Sequence, residues 1–127
     1  MKNIPDTLKY APTHEWAKLE EGAIVRVGIT DFAQSELGDI VYIGLPEIGR
    51  EVSPNEPVAV VESVKTASDL FSPVSGTVIA INETVQDEPE QVNEDAYGTW
   101  LFCIQTQSPS ELDALMDAKS YLNMIEE

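Results

Sequence analysis

Val58-Ala59-Val60-Val61-Glu62-Ser63-Val64-Lys65-Thr66-Ala67-Ser68-Asp69-Leu70-Phe71-Ser72 runs between Pro57 and Pro73 with neither glycine nor proline inside it. Strands usually extend for about five or six residues, so the segment is too long for one strand and must fold back on itself. Hydrophobicity is weakest at Ser63, Thr66, Ala67 and Ser68, with Val58, Val60 and Val61 on one side and Leu70 and Phe71 on the other. The reading is a β-hairpin whose tip lies near its midpoint, Lys65. Turn-forming residues bracket it symmetrically, Ser53-Pro54-Asn55-Glu56-Pro57 before and Ser72-Pro73-Val74-Ser75-Gly76 after. Lys65 is also the only lysine between Leu19 and Ala118. An enzyme that acylates a single lysine needs an exposed ε-amine on a rigid, recognisable backbone, and a hairpin tip supplies both. The plainer alternative is a hydrated lysine on an ordinary surface turn.

Working outward, Val, Ile and Thr gather in short runs separated by Pro, Gly, Asn and Asp, which predicts a mainly β chain with helical additions. Residues 24–29 read as a strand. Thr30-Asp31 then offers N-cap chemistry for a short helix, Phe32 to Leu37, closed by Gly38. Residues 40–43 and 77–81 read as further strands, residues 82–96 as a polar, acidic loop around Pro89, and Trp100 to Gln105 as the last strand. From Ser108-Pro109-Ser110-Glu111 onward, Leu112, Leu115, Met116, Tyr121 and Ile125 form a helical stripe, predicting a C-terminal helix broken near Ser120.

With 127 residues the chain is expected to be a single domain, 1–127, with one modest core. Seven basic residues against 23 acidic ones leave a net charge of -16. Such a surface repels nucleic acid and anionic membranes, and it predicts partners with basic patches. After Lys65 there are twelve carboxylates and one base, Lys119. The lone Cys103 excludes an intrachain disulfide, and its apolar run predicts a packed structural thiol. A single histidine, His14, leaves no His pair for a metal site, so His14 and Trp16 are expected to anchor the N-terminal segment. No stretch approaches the roughly 18 apolar residues of a membrane span, and the start lacks a signal-peptide pattern. A cytoplasmic protein is expected, although a processed mitochondrial form would read the same. No nucleophile, base and orienting group can be assembled, so no catalysis is expected.

The stretch from Val61 to Gly76 closely resembles the lipoylation segment of glycine cleavage H proteins. Ordered blocks extend the resemblance over nearly the whole chain: Thr13-His14-Glu15-Trp16, Val27-Gly28-Ile29-Thr30-Asp31 with Ala33-Gln34, Leu37-Gly38-Asp39-Ile40-Val41 running to Leu45-Pro46, Asn93-Glu94-Asp95, Tyr97-Gly98, Trp100-Leu101 and Ser110-Glu111-Leu112. It implies a barrel-sandwich hybrid of the lipoyl and biotinyl carrier type, with a short internal helix and a C-terminal helix. It also implies a non-catalytic carrier with lipoate in amide linkage on Lys65, and a carrier that must expose its hairpin to several enzymes is expected to be a monomer. In that family the carrier visits three enzymes. A pyridoxal-phosphate glycine decarboxylase loads the aminomethyl group of glycine, a tetrahydrofolate-dependent aminomethyltransferase unloads it, and a flavin-dependent dihydrolipoyl dehydrogenase reoxidises the arm. By the same match, Glu62 and Gly76 resemble recognition elements for the lipoate-attaching enzyme. Thr13, Glu15 and Asp69 correspond to positions lining the cleft where the loaded arm rests. Read without the resemblance, Glu62 is a solvated strand carboxylate and Gly76 a turn glycine.

Some positions depart from the family pattern. Thr66 stands where alanine usually follows the lysine, Phe32 where histidine or tyrosine is common, and Ala96 where proline is frequent. The block around Tyr97 to Trp100 is shortened, and Cys103 and Gln105 replace a basic strand end. These leave open a lipoate relay protein, which is loaded and then donates lipoate to other carriers. A biotin carrier would flank its lysine with methionines, and the lipoyl domain of a 2-oxoacid dehydrogenase would place Asp before it. Here the neighbours are Val64 and Thr66.

Overall fold

The hairpin is present, and it belongs to the smaller of two antiparallel sheets. A computed structural model describes residues 4–126. Its strands are β1 (Lys9–Tyr10), β2 (Glu15–Glu20), β3 (Ile24–Ile29), β4 (Ile40–Gly44), β5 (Glu51–Val52), β6 (Pro57–Ser63), β7 (Ala67–Phe71), β8 (Gly76–Ile81) and β9 (Phe102–Gln105). The larger sheet has the order β1-β2-β3-β9-β8-β5 and the smaller β4-β6-β7. Alternation along each strand sends one set of side chains between the sheets. Val25, Val27 and Ile29 meet Phe102 and Ile104 on one wall, and Ile43, Val61 and Leu70 face them from the other.

Helix α1 (Asp31–Leu37) follows β3 as expected. The Thr30 hydroxyl accepts from the Ala33 N–H at 3.1 Å, and Gly38, at φ 81°, closes the helix. The mainly β architecture agrees with the sequence reading, and three boundaries differ. The acidic segment 82–96 is not a plain loop. It winds into two single turns, α2 (Thr84–Asp87) and α3 (Gln91–Glu94), on either side of Pro89, each pinned by a fully buried valine, Val85 or Val92. The final strand begins at Phe102 rather than Trp100. The C-terminal stripe is interrupted earlier than Ser120. A 3₁₀ turn covers Pro109–Ala114 and helix α4 spans Ala118–Ile125. Between them Met116 exchanges two 2.8 Å backbone hydrogen bonds with Tyr10, which holds the chain extended. Ser120 lies inside α4, where its N–H donates to the Asp117 N-cap carboxylate at 2.8 Å.

A second apolar cluster lies on the outer face of the larger sheet. Tyr10, Trp16, Leu8 and Tyr121 form it, and Met124 and Ile125 of α4 pack against it. Tyr10 and Tyr121 stack with ring centroids 4.8 Å apart, so α4 covers the sheet through this pair.

Candidate functional site

Three residues, Val64 to Thr66, connect β6 to β7, with Val64 and Lys65 at the centre of the turn that Ser63 and Thr66 close. Among the described residues the only non-glycine positive φ values are at His14, Ala23 and Asn55, so both turn residues keep negative φ. Two-residue hairpin loops prefer turns with positive φ because these match strand twist. The Ser63 side chain compensates. Its Oγ accepts from the N–H groups of Lys65 and Thr66, both at 3.2 Å, while the Ser63 N–H donates to the Thr66 carbonyl at 2.8 Å. The Val64 N–H donates to the Asp39 carbonyl at 3.0 Å, tying the tip to the approach of β4. Lys65 therefore projects, exposed, from a turn whose backbone is held at both ends.

The support beneath the tip converges on Asn93. Its Nδ2 donates to the Gly38 carbonyl and to Gln34 Oε1, both at 2.9 Å, and its Oδ1 accepts from the Ile40 N–H at 2.9 Å. One amide thus locks the end of α1 to the start of β4. Gly38 is where the Lys65 stem rests, since a Cβ there would lie 3.3 Å from Lys65 Cε. Sequence reading missed Ser63 and Asn93 as parts of the site. A hydroxyl two residues before a turn residue was the available signal for Ser63. Asn93 had no comparable local signal, because its partners lie more than fifty residues away.

Beside this platform opens a cavity of about 220 Å³ between α1 and β7, lined by Thr13, His14, Phe32, Leu37, Ser68 and Leu70 among others. Leu37 directly precedes Gly38, so the lysine stem rests at the cavity's edge. The Thr13 hydroxyl donates to Glu15 Oε1, and Glu15 Oε2 accepts from the Phe71 N–H at 3.1 Å. Glu15 is 1% exposed, and burial raises its pKa to about 7, against the pull of these two donors. His14, at φ 77°, presents Nδ1 to the Tyr121 hydroxyl at 2.9 Å, and that hydroxyl also bonds Thr30 Oγ1 at 2.7 Å. Burial lowers the His14 pKa, so at neutral pH it is an uncharged wall of the cavity anchored to α4.

The structure brings Thr13 and Glu15 together and leaves Asp69 apart. Ser68 and Leu70 face the cavity, so pleat alternation turns the intervening Asp69 to the opposite, exposed face of the small sheet. Glu62 stands exposed on that outer face, opposite Tyr42 in register. Gly76 begins β8 rather than sitting in a turn. Its φ is 155°, and a Cβ would collide with the Gln105 carbonyl oxygen. The segment before it is anchored by Glu111, which accepts from the Ser75 N–H at 2.8 Å and its hydroxyl at 2.9 Å. Cys103 is buried, as expected.

A projecting lysine on a braced hairpin turn of a two-sheet fold is a carrier's geometry, and comparison with known proteins agrees. The family model described as Glycine cleavage H-protein matches residues 8–127. The chain belongs to the glycine cleavage H-protein family. It is 52% identical over 126 residues to the glycine cleavage system H protein of Burkholderia cenocepacia (strain HI2424), covering 99% of this chain and 100% of the relative. It is 54% identical over 122 residues to that of Marinobacter nauticus, covering 95% and 94% respectively. The crystal structure of a glycine cleavage system H protein from Mycobacterium marinum superposes with a TM-score of 0.88 at 38% identity, covering 98% of this chain and 100% of that one. The fold is therefore the lipoyl-carrier hybrid of that family, and the chain is a lipoyl carrier protein of the glycine cleavage system. Among the described residues no group of three His, Cys, Asp or Glu side chains is placed to hold a metal, and no helix is long and apolar enough to cross a membrane.

Proposed function

We propose that Lys65 is the lipoate attachment site and that the neighbouring cavity shelters the arm between partners. The observation that carries this reading is the braced tip: an exposed lysine whose stem lies against Gly38, at the edge of a cavity of about 220 Å³. The residues present fit the group. An apolar wall of Phe32, Leu37 and Leu70 suits its hydrocarbon part, and Thr13, held from behind by Glu15, offers a polar end. When attached, the group supplies a cyclic disulfide able to carry electrons and a one-carbon amine. Everything else is done by the chain's own residues. Ser63 and Asp39 hold the amine-bearing turn in one shape. Glu15, buried behind Thr13, fixes the Thr13 hydroxyl at the cavity wall, and in its ionised form would add negative charge behind that wall for an ammonium group. Asp69, on the outer face, is better placed with Glu62 for recognition by an attaching enzyme, with Gly76 setting the approach of β8.

The partners under this reading are glycine decarboxylase, the aminomethyltransferase, dihydrolipoyl dehydrogenase and the lipoate-attaching enzyme. Residues 1–127 act as one monomeric carrier unit without turnover of its own, working in the cytoplasm. Co-expression with a lipoate ligase should add one lipoyl mass to the intact protein, and Lys65→Arg should abolish it. An addition that survives the substitution would sink the assignment. The lipoylated protein should then support glycine–carbon dioxide exchange with the decarboxylase. Donation of lipoate to other carriers without exchange would identify a relay protein instead.

A further inference from the structure

A second cavity, again about 220 Å³, opens on the outer face of the larger sheet and shares no lining residue with the first. Both tryptophans of the chain, Trp16 and Trp100, line it, and so do two of its seven basic residues, Lys18 and Arg26. Lys18 and Arg26 are register partners on β2 and β3, so their side chains leave the sheet side by side. Trp16 is fixed over Gly28, where a Cβ would lie 2.6 Å from the ring, and its Nε1 donates to the Ala96 carbonyl at 3.1 Å. The Arg26 guanidinium carbon sits 5.2 Å from the Trp100 ring centroid, within cation–π range.

Acidic residues make up 23 of the 127, yet none of the described residues lining this cavity is Asp or Glu. Lys18 pairs with Glu20 at 3.6 Å, an exposed contact that water and salt weaken. Arg26 has no carboxylate partner among the described residues, and its buried Nε has no hydrogen-bond partner there. Opposite it in register on β9 is Cys103, whose thiol interacts with the Arg26 side chain but, kept protonated by burial, brings no countercharge. Packing of the arginine stem on tryptophan explains the Trp100 contact. It does not explain an orphaned donor, or a carboxylate-free lining in so acidic a chain.

We propose that this cavity binds a small oxyanion, a carboxylate or a phosphate, with Arg26 as the anion-binding residue, Lys18 at the rim and Trp100 as a platform for a flat group attached to it. The site is independent of Lys65 and of any modification there. The test uses the full unmodified chain, labelled with nitrogen-15, in which the only two indole N–H signals belong to the two cavity tryptophans. Inorganic phosphate and benzoate are titrated separately at constant ionic strength. A saturable shift of an indole signal is expected, with affinity at least tenfold weaker in Arg26→Gln and unchanged in Arg50→Gln, whose guanidinium is engaged by Glu56 at 2.7 Å. Saturation by both ligands means the oxyanion suffices, and saturation by benzoate alone means the ring is also read. Both outcomes support the site. Lys18→Gln, on the exposed rim, should weaken the titration severalfold and stands in if Arg26→Gln fails to fold. Shifts that are absent or non-saturating for both ligands, or that persist unweakened in these variants, would overturn the proposal.

Discussion

Glu15 is a carboxyl group that folding removes from water, and its titration has a predictable sign. Its folded pKa of about 7 lies above the ordinary 4.5, so between those values the folded state binds the proton more tightly than the unfolded chain does. Stability from this group is complete below about pH 4.5 and is lost as pH rises through 7, a change of about 3 kcal/mol at 1.36 kcal/mol per pKa unit. Glu15→Gln should therefore match the parent protein at pH 4.5 and be the more stable of the two at pH 8. Parallel denaturant-derived stabilities across that range would refute it. Ser63 tests a different property, turn shape. Ser63→Ala removes the acceptor of two backbone N–H groups and should cost about 1 kcal/mol. It should slow lipoylation, followed by intact mass over time, by more than that loss of stability implies, with Ser63→Thr restoring part of the rate. Lys65 itself was legible in sequence because isolation and punctuation are local signals. Ser63 stood beside it unread, since nothing in composition says that its hydroxyl turns back onto the tip.

At the scale of elements, the junction of α1 and β4 is the platform on which the hairpin stands. Asn93→Ala would strip three hydrogen bonds from that junction and should destabilise the fold by about 2–3 kcal/mol. Its specific signature would be faster hydrogen exchange at the Val64 amide, which bonds Asp39 between the two residues that Asn93 holds. Unchanged protection at Val64 would separate the platform from the tip. The elements that sequence revealed share a property: β3, α1, the β6–β7 hairpin and β8 carry their own boundaries in Gly, Pro and capping residues. The ones it missed do not. Strands β1 and β5 are two residues long and exist only through partners distant in the chain, and β2 passed as an anchoring segment. The turns α2 and α3 depend on two valines reaching a core that sequence could not place. Asp69 was misplaced for a related reason. The family match put Asp69 in the arm cleft, whereas the side of the pleat it takes required the register with Val60.

For the molecule as a whole, a net charge of -16 on 127 residues means the folded state works against its own repulsion. Raising sodium chloride from 20 to 500 mM should raise the melting temperature by screening, while slowing association with basic partner surfaces. A melting temperature that falls over this range would show that ion pairing outweighs repulsion. The family assignment came from ordered blocks along the chain, and the two-sheet fold agrees with it. The assignment of charge and aromatic groups to a second cavity needed the register of β2 against β3. That larger sheet also has a consequence for how the protein is made. Strand β9, residues 102–105, enters between β3 and β8 and completes the wall behind the lysine hairpin. Lys65 is synthesised before β9, so the amine exists before the wall that backs its hairpin is complete. Under the Lys65 proposal, acylation should follow completion of the chain, and a purified fragment ending near residue 95 should be a poor acceptor.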